Sequence, residues 1–160
     1  MKITDLQNTY VTSDHHFNDT RFDALYRSSE VSTKSNHIDF LVKKWNSVVS
    51  PNDTVIHLGD VAVDMDGYKY VTLLNGNIHL VRGNHDQRYS TEFLNAYFET
   101  VRDDMIVEVD DLTLYLNHFP LNARPDLFNL VGHVHSVWKV QRNMLNVGVD
   151  CWNYKPINFE

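Results

Sequence analysis

Short apolar runs that break off into polar loops recur along the first half of the chain. Thr9-Tyr10-Val11-Thr12 leads into Ser13-Asp14-His15-His16, Thr54-Val55-Ile56-His57-Leu58 into Gly59-Asp60, and Asn77-Ile78-His79-Leu80-Val81 into Arg82-Gly83-Asn84-His85-Asp86. Each run is aliphatic or β-branched and about five residues long, which is the pattern of a buried strand. Between the first two runs, Ile38, Leu41, Val42, Trp45, Val48 and Val49 recur at three- and four-residue spacing and give a helix one apolar face. Ser35 or Asn36 is placed to cap its start, and Pro51-Asn52-Asp53 turns the chain after it. Shorter helices are expected at Tyr68 to Leu74, closed by Asn75-Gly76, and at Ser90 to Tyr97. Strand–helix–strand order of this kind predicts a mostly parallel sheet with right-handed crossovers.

The second half changes its rhythm. Met105 to Val109, Asp110-Asp111 and Leu112 to Leu116 read as a hairpin, and further strands are expected at Leu127 to Val131, Val137 to Gln141 and Met144 to Val149. A parallel half packed face to face on a meander half, with helices outside, is the architecture this predicts. The chain, residues 1–160, is then a single domain, with ligands beyond the carboxyl ends of its strands.

Composition narrows the function. Charged residues make up 22% and the formal charge is −7, with 14 Lys and Arg scattered along the chain. Proteins that grip duplex nucleic acid present a basic face, because phosphate neutralisation supplies most of the affinity. Long duplexes are thus disfavoured as partners, and small phosphorylated substrates, nucleotides among them, are favoured. No apolar run reaches the roughly 20 residues of a membrane helix, and the N-terminus lacks the charged-then-apolar pattern of a secretory signal. The single cysteine, Cys151, forbids an internal disulfide and fits a reducing compartment, so a cytoplasmic location is expected.

The nine histidines are the unusual feature. Past the predicted strands stand Asp14-x-His16, Gly59-Asp60, Gly83-Asn84-His85-Asp86, Asn117-His118 and Gly132-His133-Val134-His135. Asp14, His16, Asp60, Asn84, His118, His133 and His135 bring enough oxygen and nitrogen donors to one sheet edge for two metal ions sharing a carboxylate. Mixed imidazole and carboxylate donors suit Mn, Fe, Zn, Ni or Co. Alternate residues of an extended segment point the same way, so Asp14 and His16 are expected to bind one ion together; His133 and His135 have the same spacing. Arg82 is placed either to meet a phosphate or to pair with a carboxylate such as Asp86. His15, His57 and His79 are expected to pack or hydrogen-bond structurally, and His37 to be solvated. Cys151 lies away from every motif.

The motifs D-x-H, G-D, G-N-H-D, H and G-H-x-H, in this order, resemble those of the calcineurin-like metallophosphoesterases. The resemblance runs from Val11 to about Ile157 and is nearest to small bacterial and phage members without a cap domain, which share Trp45-Asn46 and Asn146-Val147-Gly148-Val149-Asp150. It departs at Asn18-Asp19, where many relatives carry a further His.

The resemblance implies a four-layer α-β-β-α sandwich of two mixed sheets. It implies that Asp14, His16 and His135 bind one divalent metal, that Asn84, His118 and His133 bind a second, and that Asp60 bridges them. Manganese is the ion expected first. His85 acts on the phosphoryl oxygens or the leaving group, Asp86 orients it, and Arg82, Asn84 and His85 meet the substrate. Hydrolysis of a small phosphodiester or phosphomonoester by water activated between the metals is the expected activity, with a nuclease or a non-catalytic scaffold as the alternatives.

Overall fold

The computed structural model describes residues 1–27 and 37–160, so the expected cap at Ser35 or Asn36 lies outside the described residues. A five-stranded sheet carries the first half: β2 (Thr9–Thr12), β3 (Thr54–His57), β4 (Asn77–Val81) and β5 (Thr100–Arg102) run parallel in that order, with β11 (Ile157–Asn158) antiparallel outside β2. Strands β1 (Lys2–Ile3), β6 (Met105–Val109), β7 (Leu112–Leu116), β8 (Phe128–Val131), β9 (Val140–Gln141) and β10 (Met144–Asn146) form the second sheet in the order β1-β6-β7-β8-β10-β9. Among the described residues the helices are α1 (Thr20–Tyr26), α2 (His37–Asn46) and α3 (Thr91–Leu94), with a 3-10 segment at Met65–Leu73 and shorter ones at Asp86–Arg88, Pro120–Asn122 and Val149–Cys151. No helix among the described residues is long and apolar enough to cross a membrane.

Two cores follow from the alternation of side chains along the strands. One face of the first sheet packs Val11, Ile56, Leu58 and Val81 against Met105, Val107, Leu116 and Leu130 of the second. The opposite face buries Val55, Ile78 and Leu80 under Leu41 and Trp45 of α2, Tyr68 of the 3-10 segment and Leu94 of α3. The outer face of the second sheet is open among the described residues, with Ile106 and Glu108 exposed. The two mixed sheets expected from the resemblance are present, and the described helical packing lies on the first.

The second sheet is not a meander. Only β6–β7 and β9–β10 are antiparallel neighbours; β7 pairs parallel with β8, and β8 parallel with β10. The reason lies in the loops: Asn117-His118 and Gly132 to His135 leave β7 and β8 at the same end only because those strands run the same way. Other boundaries are shorter than expected. Val137 belongs to a turn, its N–H donating to Val134 O at 3.0 Å, so the strand begins at Val140. Strand β10 ends at Asn146, where the side chain takes over the hydrogen bonding of the next loop. Asp64 caps the 3-10 segment by accepting from Gly67 N–H, which starts that turn three residues before Tyr68.

Candidate metal centre

Each chemistry-bearing loop leaves its strand through an uncommon backbone conformation. Asp14, His16, Asp60, His133 and His135 have positive φ of 62°, 52°, 53°, 74° and 48°. The paired donors therefore do not lie on extended segments, as their alternate spacing suggested; left-handed turns bring them together. Asp and His tolerate this region better than most side chains, and each such residue costs about 1–3 kcal/mol that the surrounding structure must offset.

That offset is visible. Asp14 N–H donates to Gly59 O at 3.0 Å and His16 N–H to Asp60 O at 3.1 Å, tying the first two loops together. His133 N–H donates to the Asp14 carboxylate at 3.0 and 3.2 Å. Gly132 permits this approach, since a Cβ there would stand 2.7 Å from Asp14 Oδ2. Gly83 has a similar role, for its Cβ would lie 2.9 Å from Asp60 Cγ.

Three donor groups result, each with ligand atoms within 4.8 Å of one another: Asp14, His16 and His135; His16, Asp60 and His85; and Asp60, His118 and His133. Asp60 is common to two of them. Its Oδ2 stands 3.6 Å from His16 Nε2 and from His118 Nε2, and 3.9 Å from His85 Nε2. Asn84 Oδ1 approaches His118 Nε2 to 3.3 Å. The structure thus gathers every donor anticipated from sequence.

These residues fit a metal. His16 is buried, yet neither of its ring nitrogens has a hydrogen-bond partner, and His85 Nδ1 is unpartnered too. Leaving buried polar atoms unpaired is costly. The Asp60–His spacings are too long for hydrogen bonds but close to the roughly 3–3.5 Å separating donors around an ion with bonds of about 2.1 Å.

Electrostatics point the same way. Burial pushes Asp14 up and His16 down, the latter to about 3 despite Asp60 beside it. His133 is lowered by burial and by the charge of His118. Burial also opposes the charge on Asp60, but His118, His16 and the His85 backbone N–H (2.9 Å) hold its carboxyl well below the usual range. For His118, burial disfavours the cation, yet Asp60 and Asp14 outweigh it and raise the ring to about 9. Such a proton partly balances the carboxylates in the place where a cation would do so fully.

The outer layer of the site holds most of what sequence reasoning missed. His118 Nδ1–H donates to Leu58 O at 2.6 Å, which aims Nε2 at Asp60. His135 Nδ1 lies 2.9 Å from Asp150 Oδ2, a carboxylate–histidine pairing that orients a metal-binding ring. Asp150 is held by Arg27 Nε at 2.9 Å, and the same buried guanidinium donates to Asp14 O, His15 O and Asp23 Oδ1. His37 is buried, not solvated, with Nδ1 2.7 Å from Asp23 Oδ2. Asn146 donates to His135 O and Trp138 O and fixes the His133–His135 loop. Only the Asn146 to Asp150 segment gave any advance signal; a lone Arg27 in a polar stretch gave none.

Two expected roles are corrected. Asp86 does not orient the His85 ring; its carboxylate accepts from the backbone N–H of Asp60 (2.7 Å) and Gly83 (2.8 Å) and from Tyr68 O–H (2.5 Å), binding two loops to the core. Arg82 is taken by Asp103 at 2.9 Å and by Thr91 Oγ1, so its guanidinium is not free to clasp a phosphate. Asn18 is likewise engaged, by Asp64. Cys151 is nearer the site than expected. Its Sγ–H donates to His135 O at 3.2 Å, and burial together with Asp150 raises its thiol, which leaves it a poor nucleophile. His15 and His57 are structural, joined by Nδ1···Nε2 at 2.8 Å beneath Trp45, and His79 pairs with Thr100.

Known proteins resemble this chain in sequence and fold. An uncharacterised protein of Methanocaldococcus jannaschii is 28% identical over 97% of this chain and 89% of its own length. The crystal structure of an Aquifex aeolicus protein of unknown function is 26% identical, with a TM-score of 0.73, over 93% of this chain and 94% of that one. A structurally and functionally characterised archaeal phosphodiesterase shares the fold at a TM-score of 0.51 and 22% identity, over 88% of this chain and 81% of that one. The sequence profile described as calcineurin-like phosphoesterase matches residues 8–154, within which every residue of the candidate centre lies. The chain belongs to the calcineurin-like phosphoesterase family, whose phosphate-ester hydrolysis depends on divalent metal.

Proposed function

We propose that the protein hydrolyses a small phosphodiester or phosphomonoester with two divalent ions, one held by Asp14, His16 and His135, the other by Asn84, His118 and His133, with Asp60 shared. The observation that carries this reading is the placement of Asp60 between donor groups on either side. When bound, two such ions would polarise the phosphoryl group and activate water. Manganese is the first ion to supply, since the donors mix nitrogen and oxygen.

The remaining work falls to the chain's own residues. His85, its side chain 18% exposed and its Nε2 3.9 Å from Asp60, stands at the mouth of the cluster. There its ring can hold a hydrogen bond to a phosphoryl oxygen or deliver a proton to the departing oxygen. Asn84, joined to His118, adds a neutral donor amide beside it. Neither role asks for a nucleophilic side chain.

The test is to load the protein with manganese and compare bis-p-nitrophenyl phosphate with p-nitrophenyl phosphate, using Asp60→Ala as control. Turnover of either ester that disappears in Asp60→Ala is expected, and the better ester assigns diester or monoester preference. Absence of turnover across manganese, zinc, iron, nickel and cobalt would contradict the proposal.

A further inference from the structure

Beside the donor cluster lies a cavity of about 440 Å³ that is unlike the site it adjoins. Phe22, Tyr26, Val134 and Val137 form its apolar side, and His133, His135, Ser136 and Asp150 its polar side. Tyr26 and Val137 are exposed, at 73% and 79%. The aromatic wall is built rather than incidental. The Phe22 ring stacks on His16 at 5.0 Å and 19°, meets His135 at 4.4 Å and carries the Arg27 guanidinium 5.0 Å above it. Tyr26 extends the series, its ring 5.1 Å from Phe22. A hydrophobic wall beside a charged cluster does nothing for a bare phosphate.

Two of the walls, His133 and His135, are also members of the donor groups. Whatever fills the cavity is therefore within bonding reach of a phosphate held at those donors. We infer that the cavity seats the group esterified to that phosphate, and that this group is a planar aromatic ring, of which a nucleobase is the biological form. The inference rests on the phosphoesterase reading above and names its substrate class. Aromatic chemistry is favoured because a further ring continues the Phe22–Tyr26 series by offset or edge contact, while Val137 covers apolar edge. A formal charge of −7 does not oppose a neutral ring as it would a second phosphate.

The experiment holds the leaving group constant and varies the other substituent. Methyl, phenyl and thymidine 5′ esters of p-nitrophenyl phosphate all release p-nitrophenolate, so differences in kcat/KM report the retained group. The phenyl and thymidine esters should exceed the methyl ester by about tenfold to 100-fold, the span of one base–aromatic contact. Tyr26→Ala should bring that ratio toward one, and Tyr26→Phe should preserve it. A gain for phenyl alone assigns a simple aryl ester, and a gain for both extends the assignment to nucleotides. A gain for thymidine alone overturns the inference in favour of sugar or base hydrogen bonding.

A second readout needs no turnover. With zinc-loaded protein, saturation-transfer NMR should show ring protons of phenylphosphonate in contact with the wild type and not with Tyr26→Ala. Equal kcat/KM for all esters overturns the aromatic seat and leaves the phosphoesterase reading standing. If no ester is turned over, that reading fails instead, and the phenylphosphonate contact alone decides the cavity.

Discussion

At the scale of single residues, the site is a set of conformations the chain would not choose unaided. Five donors sit at positive φ, and what holds them is a layer of groups packed behind and beside them. Asp150 is the clearest of these, fixing the His135 ring from behind at 2.9 Å. Outer partners of this kind typically change metal affinity by roughly 10–100-fold. Asp150→Ala should therefore weaken manganese binding by about that factor, read by competition with a chelator, while the fold survives by circular dichroism.

His57 makes a second residue-scale case. Its Nδ1 accepts from Gly59 N–H at 3.1 Å, so its Nε2–H donates to His15 Nδ1, an arrangement that requires both rings to be neutral. Burial pushes His57 down to about 3, and burial with the neighbouring His57 and Arg27 charges pushes His15 well down also. Between the ordinary histidine value near 6.5 and about 3, the unfolded chain binds more protons than the folded one. The stability from His57 is then complete above pH 6.5 and is lost as pH falls through that window. One proton gives a slope of about 1.4 kcal/mol per pH unit. In denaturant titrations of metal-free protein between about pH 4 and 6, the stability of His57→Gln should fall less steeply than that of the wild type, by about that slope.

At the scale of elements, α1 does more than its seven residues suggest. Asp19 caps it by accepting from Phe22 N–H at 2.9 Å, and Asp23 in its first turn and Arg27 at its C-cap then reach inward. Through Arg27 the helix is bonded to Asp14 O, His15 O and Asp150 at once. Removing one partner of a buried ionic network leaves uncompensated charge and costs about 3–5 kcal/mol. Arg27→Met should destabilise the metal-free protein by about that much in urea denaturation, a far larger loss than at exposed Arg124.

Elements also show where sequence patterning succeeds. Strands β2, β3 and β4 were legible because each is a continuous apolar run covered on both faces. The long helix was legible because Leu41, Trp45 and Val49 mark its inward face. Two-residue strands such as β1 and β11 carry no such period, and their pairing is settled by distant partners, Glu108-Val109 and Tyr10-Val11. The direction of β8 was illegible for a related reason: periodicity reports which side chains are buried, not which way a strand runs.

At the scale of the whole molecule, the donors were readable because glycine, aspartate, asparagine and histidine at strand ends are chemically conspicuous. Their supports were not. Arg27 and Asp150 lie 123 positions apart, and only the fold brings them to 2.9 Å. The two-sheet sandwich turns every donor loop to one end, where Asp14 and Asp60 meet residues from β7 and β8 far along the chain.

The central claim is that Asp60 joins two ions in one centre. Titrating metal-free protein with manganese while recording electron paramagnetic resonance tests this most directly. Binding of two ions per chain is predicted, with the spectrum of a magnetically coupled pair that Asp60→Ala abolishes. A single ion per chain, or two uncoupled ions unaffected by Asp60→Ala, would contradict it.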